Sequence, residues 1–313
     1  MGSYLIKRII SLIPILVGIS ILVFTILHLV PGDPASIMLG TEATPEAVAV
    51  LRAEMGLDKP LISQYLHWAG GLLQGDFGVS VHTGEEILPQ ILKRFLITLQ
   101  LTIMAVVIGW TLAIPFGILS AIRSHSKTDK VIRILTLLGI SVPNFAIGTL
   151  LLLGLSLYFN WFPPIDVVHF WDDPAEAFKV FILPAVTMGI VVAAGVMRMT
   201  RSAFMETMDK DFIRTARAKG NSQWTVVMGH ALRNSSIPIV TIAGMQIGYL
   251  LGGSVIVEQL FSIPGLGQYV LDGIYQRDYP VVQGGVLFVA LVFVLVNLII
   301  DLIYTWIDPR IKY

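Results

Sequence analysis

DKDFIRTARAKGNSQW, Asp209–Trp224, is a polar insert between two apolar runs, Val180–Met199 and Ile237–Val257. Within it three cations fall in six residues, at Arg214, Arg217 and Lys219. A helix rises about 1.5 Å per residue, so each flanking run can cross a hydrocarbon core of about 30 Å. Four further runs of that kind occur, roughly Ile9–Val30, Phe95–Ile122, Ile134–Phe159 and Val281–Ile300. Strands of a membrane barrel would be shorter and would alternate in polarity. The pattern predicts an all-α polytopic membrane protein with six transmembrane helices, and it makes the basic insert a loop between the fourth and the fifth.

Composition agrees. The 313-residue chain is 55% hydrophobic and 13% charged, with a mean hydropathy of +0.78. A soluble domain carries about 25% charged residues, so this chain has too few to cover a water-facing surface. Its formal net charge of zero argues against nucleic-acid binding, which calls for a basic face. It has no cysteine, which excludes disulfides and thiolate metal sites. Lys7 and Arg8 precede the first apolar run as they would in a signal peptide. That run, Ile9–Val30, is longer than the about 7–15 residues of a signal core, and it is read as a retained first span.

Six spans put both termini on one side. Segments 1–8, 123–133, 198–234 and 308–313 hold 15 of the 21 lysines and arginines. The other side holds the remaining six: Arg52, Lys59, Lys93, Arg94, Lys179 and Arg277. Cationic loops stay in the cytoplasm, so both termini are expected there. The chain then divides into residues 1–30, a cytoplasmic N-terminus and first span; residues 31–94, an extracytoplasmic segment; and residues 95–313, a five-helix core that includes a cytoplasmic loop, 201–236. In the external segment Thr44 caps a short helix begun by Pro45 and stopped at Gly56, and a second follows Pro60 and ends near Gly75. Both are expected to be amphipathic and to cover the external mouth. Trp161, Phe162, Phe170 and Trp171 fit interfacial anchors, with substrate contact as the other reading.

The motifs of hydrolytic chemistry are missing. The sequence contains no G-x-x-x-x-G-K-[ST], no H-E-x-x-H and no G-x-S-x-G. Its six histidines are scattered, without metal-ligand spacing. A non-catalytic subunit with no cofactor or metal of its own is expected. His28, Glu258 and Asp301 lie near span ends, while the span middles carry neutral groups such as Gln246 and Asn297. Ion-coupled carriers keep charge inside the membrane as their coupling device, so energy for uphill transport is expected to enter from elsewhere. Gln246 and Asn297 read either as interhelical hydrogen-bonding groups or as lining of a polar pathway. Gly244, Gly248 and Gly252 form a small-residue stripe that permits close helix approach, within this subunit or against another, and it is read first as a subunit interface along the route. Together with Glu258 these residues make up the candidate pathway set.

In the basic insert, Asp211 is expected to cap a short helix, Phe212–Lys219, with Arg217 and Lys219 in its last turn and Gly220 in the left-handed position that stops it. Phe212, Thr215, Ala216 and Lys219 share one side, and Ala216 and Ala218 make it small. Ser222 caps a second helix, about Gln223–Asn234, and Pro238 marks entry into the fifth span. A helix of about eight residues is marginal alone in water. It needs a docking surface; anionic lipid and a partner protein both satisfy that need.

This insert resembles the EAA loop of permeases of ABC importers, the inner-membrane components of binding-protein-dependent transport. The matching positions are Arg214-Thr215-Ala216, then Arg217-Ala218-Lys219, then Gly220, with Ile237-Pro238 downstream. Arg214 and Thr215 replace the glutamate and first alanine of the pattern. The form RTARAKG…HALRN…P is similar to the dipeptide, oligopeptide and nickel permease subfamily (B-type subunit). So are LVPGDPA (Leu29–Ala35), GDFGVS (Gly75–Ser80), SVPNF (Ser141–Phe145), FSIPGLGQ (Phe261–Gln268), RDYPVVQG (Arg277–Gly284) and DPRI (Asp308–Ile311).

The resemblance implies a type I importer permease fold and makes Arg214–Gly220 a coupling helix that docks on a cytoplasmic ATPase subunit. It implies a second homologous permease, one or two ATP-binding subunits that hold ATP and Mg, and an extracytoplasmic substrate-binding protein. It places the chain in the cytoplasmic (inner) membrane of a bacterium or archaeon. The implied cargo is a di- or oligopeptide, with nickel or a metal chelate and glutathione as near alternatives. A reading from another class, a self-sufficient secondary carrier or channel, would require a complete pathway and a coupling site in this one chain.

Overall fold

The computed structural model describes residues 2–29, 34–39, 44–54 and 56–307. Most of the LVPGDPA motif and all of DPRI lie outside these residues. Regular structure in the described residues is helical, apart from an isolated antiparallel bridge between Val79 and Glu86. It contains α1 (Gly2–Leu29), α2 (Pro34–Leu39), α3 (Pro45–Glu54), α4 (Leu61–Leu73), α5 (Ile87–Ile122), α6 (Lys127–Ser141) and α7 (Asn144–Phe159). There follow α8 (Pro174–Met208), α9 (Asp211–Ala218), α10 (Leu232–Gly253), α11 (Val255–Leu260), α12 (Leu266–Gln276) and α13 (Tyr279–Ile307). Among the described residues four helical stretches are long and apolar enough to cross a membrane: α5, α8, Thr225–Gly252 and most of α13. The pair α6 and α7 makes a fifth if taken as one broken span, and α1 carries a shorter apolar stretch, Ile10–Ile26.

The third apolar run, expected as a single crossing, is broken. α6 and α7 meet at 104°. Val142, ahead of a proline, is extended at φ −88° and ψ 126°, the conformation that the proline ring imposes on its predecessor. Pro143 has no N–H to continue the helix. Hydropathy reads through this proline because Val142 and Phe145 are as apolar as their neighbours.

The chain forms two compact units, residues 1–97 with 264–294, and residues 98–263 with 295–313. In the first, Thr44 caps α3 as expected, its Oγ1 accepting from Ala47 N at 3.3 Å, and Gly56 and Gly75 take φ +66° and +84°. Aromatic packing fixes α1 to α4: Phe24 lies 5.5 Å from Tyr65 and 5.8 Å from Trp68. A hydrogen bond of 2.8 Å between Ser20 Oγ and Tyr65 Oη joins the same helices. The core of this unit gathers Ile87, Ile91, Leu266 and Val281. The loop before α5 is tied down by Ser80 Oγ, which donates to Asp278 Oδ2 at 2.6 Å.

The second unit is arranged around α8, which packs on α6, α7 and α10. Two thirds of its most apolar window is buried, against about a tenth for α13. Glycines let its neighbours approach closely. A Cβ on Gly109 or Gly117 would fall 2.7 Å from Val192 or Thr200 of α8, and one on Gly139 would fall 2.9 Å from Ala194. Asp129, at the start of α6 and fully buried, receives a two-pronged ion pair from Arg201 of α8, Nε to Oδ1 at 2.9 Å and Nη2 to Oδ2 at 3.0 Å. Ser120 Oγ and His125 N complete its shell at 2.6 and 3.0 Å.

Two outcomes follow from this packing. Asp129→Ala leaves Arg201 without its partner and is expected to cost about 3 kcal/mol, while Asp129→Ala combined with Arg201→Leu costs markedly less than the sum of the single changes. Thermal unfolding in detergent measures the cycle, and strict additivity would contradict the pairing. Gly117→Val places a methyl against the Thr200 side chain and the Met197 carbonyl, and is expected to cost about 1–3 kcal/mol in the same assay.

Candidate functional site: the cytoplasmic helix and the span-five face

Asp209 ends α8 and Lys210 begins α9, with Lys210 in extended conformation. Asp211 is therefore the first helical residue and not the cap that the sequence suggests. Lys210 has no side-chain acceptor, and Asp211 supplies charge to the helix start without bonding to it. Its carboxylate pairs loosely with Arg214 at 3.4 Å, with both side chains well exposed. Such a pair adds little to stability.

The C-terminal end is built as expected. Gly220 takes φ +79° immediately after the last turn, and nothing lies within 4 Å of where its Cβ would be. The glycine is required by backbone conformation, not by crowding. Gly220 N donates to Arg217 O at 2.9 Å, and Asn221 Nδ2 returns to Ala216 O at 3.0 Å. Ser222 then accepts from Thr225 N at 3.2 Å.

Beyond Ser222 no separate second helix forms. The chain winds as a π-turn over Thr225–Ala231 and continues without a break into α10. Pro238 lies inside α10, so span five begins well before the apolar run that marks it in the sequence.

The faces of α9 also differ from expectation. Ile213 and Ala216 are buried, against Ala121 of α5, Phe204 of α8, and Val226, Val227 and Ala231 of the π-turn. Ala216 therefore keys the helix to its own chain and does not present a small surface outward. Arg214, Thr215, Arg217, Ala218, Lys219 and Gly220 are exposed. Phe212 is partly exposed beside them, and Trp224 is 71% exposed. The outward surface is basic with aromatic edges. Ile213 and Trp224 escaped the sequence reading, although Ile213 and Ala216 stand one turn apart, the spacing of a buried stripe.

The candidate pathway residues have different surroundings. A Cβ on Gly244 would meet Ile300 of α13 at 2.5 Å, so this glycine lets α10 and α13 pack closely. Gly248 is buried and Gly252 exposed. Gln246 lies against α8, its Nε2 2.6 Å from where a Cβ on Gly195 would stand. Asn297 is half-buried on α13. Glu258, on α11, is fully buried, and its Oε1 accepts from Thr98 Oγ1 and Ser254 Oγ, each at 2.8 Å. Two hydroxyls thus hold a carboxylate between α5 and α11, a constellation set by residues 160 positions apart.

Near α7, Gln100 accepts from Phe170 N at 3.0 Å and contacts His169 Nδ1 at 2.7 Å, which fixes the segment before α8. His169 stacks on Trp171, and Phe170 on Phe181. Phe170 therefore packs inside the protein, while Phe162 and Trp171 remain exposed, as membrane anchors would be.

A family model described as the binding-protein-dependent transport system inner membrane component matches residues 113–313, and the corresponding N-terminal model matches residues 1–102. The chain is 42% identical over 313 residues to the glutathione transport system permease protein GsiC of Salmonella choleraesuis (strain SC-B67), covering all of both chains. It is 41% identical, with the same coverage, to GsiC of Escherichia coli (strain K12). The fold is similar to a chain of the MetNI methionine ABC transporter in an inward-facing conformation, with TM-score 0.59, 16% identity, and 71% of this chain and 98% of that one covered. It is also similar to a chain of an amino acid ABC transporter, with TM-score 0.51, 17% identity, and coverage of 71% and 94%. This multi-pass chain thus belongs to the family of binding-protein-dependent transport system inner membrane components, as a permease subunit of an ABC importer in the inner membrane.

Proposed function

We propose that the chain conducts small peptides inward, as one of two homologous permeases that together form the pathway. The observation that carries the cargo class is its 41–42% identity, end to end, to permeases named for glutathione, itself a small peptide. Longer di- and oligopeptides belong to the same chemical class. Family membership replaces the self-sufficient carrier or channel, because a binding-protein-dependent system draws on other subunits. Substrate arrives on an extracytoplasmic binding protein, and ATP with Mg is held by one or two cytoplasmic ATPase subunits. This chain supplies no hydrolytic step.

In this reading the six apolar runs are six crossings, the third bent at Pro143, and both termini face the cytoplasm. The lysine and arginine asymmetry supports that orientation. Residues 1–30, 31–94 and 95–313 then serve as first span, external segment and permease core. α9, on the basic side, docks on an ATPase subunit through Arg214, Thr215, Arg217, Ala218 and Lys219. Gly220 fixes its exit angle. Ala216 acts from within, by holding α9 to α5, α8 and the start of span five.

Reconstitution in liposomes with the partner permease, ATPase subunits and binding protein tests the cargo. ATP-dependent uptake of glutathione or of a short peptide is expected, with no uptake when the binding protein is left out. Uptake of neither, in a complex whose ATPase responds to its loaded binding protein, would refute the peptide assignment.

Gly220→Val forces a β-branched residue into the left-handed region, at a local cost of about 1–2 kcal/mol. It is expected to lower transport at least as much as ATP hydrolysis, while Gly220→Asn retains much of both. Unchanged transport and unchanged stimulated hydrolysis in the valine variant would remove α9 from the coupling route.

A further inference from the structure

Arg94 lies near the start of α5, among the few cations on the side assigned to the exterior. Its guanidinium carbon stands 4.8 Å from the centre of the Tyr269 ring on α12, in the same compact unit. That contact restricts the side chain to one placement. Arg94 is half-buried, and its Nε is enclosed with no hydrogen-bond partner among the described residues. A guanidinium has five N–H donors and keeps its charge at any physiological pH. Enclosing one donor without an acceptor costs about 1–3 kcal/mol, so the arrangement calls for a group that the subunit itself does not supply.

The neighbouring carboxylates are occupied by neutral donors. Asp278 and Glu85 both act electrostatically on Tyr269. Asp278 accepts from Ser80 Oγ at 2.6 Å and from Val281 N at 3.4 Å. Glu85 accepts from Gln90 Nε2 at 2.7 Å. Among the described residues no carboxylate lies within ion-pair distance of Arg94. The next residue back, Lys93, is exposed, whereas Arg94 is half-buried.

We propose that Arg94 is a binding residue for a carboxylate of the transported solute, engaged as the solute enters this subunit from outside. The planar fork of a guanidinium matches a carboxylate with two parallel hydrogen bonds, and every free peptide ends in that group. The Tyr269 ring holds the fork in place. The inference rests on the reading of the chain as a peptide permease.

Two measurements test it on the complete transporter. In the first, phenylglyoxal modification of Arg94 is followed by mass spectrometry in the presence of glutathione, trialanine or trialanine amide. Protection by the free acids and not by the amide is expected; equal protection by acid and amide, or none, overturns the proposal. In the second, uptake of whichever free acid the wild type transports is compared in Arg94→Gln and Arg94→Lys. A rise in KM of about tenfold or more is expected for glutamine and a smaller one for lysine. Tyr269→Phe, which keeps the ring, retains KM. Loss of kcat at constant KM would make Arg94 structural instead. Absent uptake with intact carboxylate protection would overturn the peptide cargo and leave the carboxylate site standing.

Discussion

Close backbone approach along α8 is the constraint on which the second unit depends. In a membrane, helices gain little from leaving one apolar medium for another, so their association rests on packing and on a few polar bonds. Gly109, Gly117 and Gly139 remove the side chains that would hold α5 and α6 away from α8. Once the backbones are close, Arg201 reaches Asp129 with both of its prongs, and Ser120 is drawn into the same shell. The ion pair joins helices that the glycines let approach. Charge then secures what small size allows.

A division of labour appears along the same helix. Its middle is packed by glycines and small apolar residues, and its basic end is fixed by the Asp129 shell and by Phe204. The far end begins at Asp173, whose carboxylate accepts from Ala175 N and Glu176 N. At that end polar clusters are local and small: Gln100 with Phe170 and His169, and Glu258 with Thr98 and Ser254. Each ties a loop or a short helix to α5. The sequence points to Glu258 and Phe170 one at a time, but not to the partners that hold them.

The sequence made the helical class, the apolar runs and the stop at Gly220 legible because each depends on a few adjacent residues. Gly220 is the clearest case, since its φ is decided by the turn it closes. The inward face of α9 was not legible. Ile213 and Ala216 stand one turn apart, but two residues are a short signal, and what covers them, Ala121 and Phe204, lies far away in the chain. Asp129 and Arg201, 72 residues apart, were invisible for the same reason. The bend at Pro143 was present in SVPNF, but counting apolar residues gives a proline no weight against a run of leucines. Sequence leaves Gln246 and Gly244 open between two readings each, and only the positions of Gly195 and Ile300, distant in the chain, show what each packs against.

The burial of Ile213 and Ala216 has a mechanical consequence. Their contacts reach the end of α5, the end of α8 and the start of the π-turn at once. Packed interiors are stiff and pass strain to their neighbours. A load applied to the outer side of this short helix is therefore not carried by the two peptide links at its ends alone. It is shared among three long rods gripped at a single knuckle, so that they tilt together instead of bending one by one.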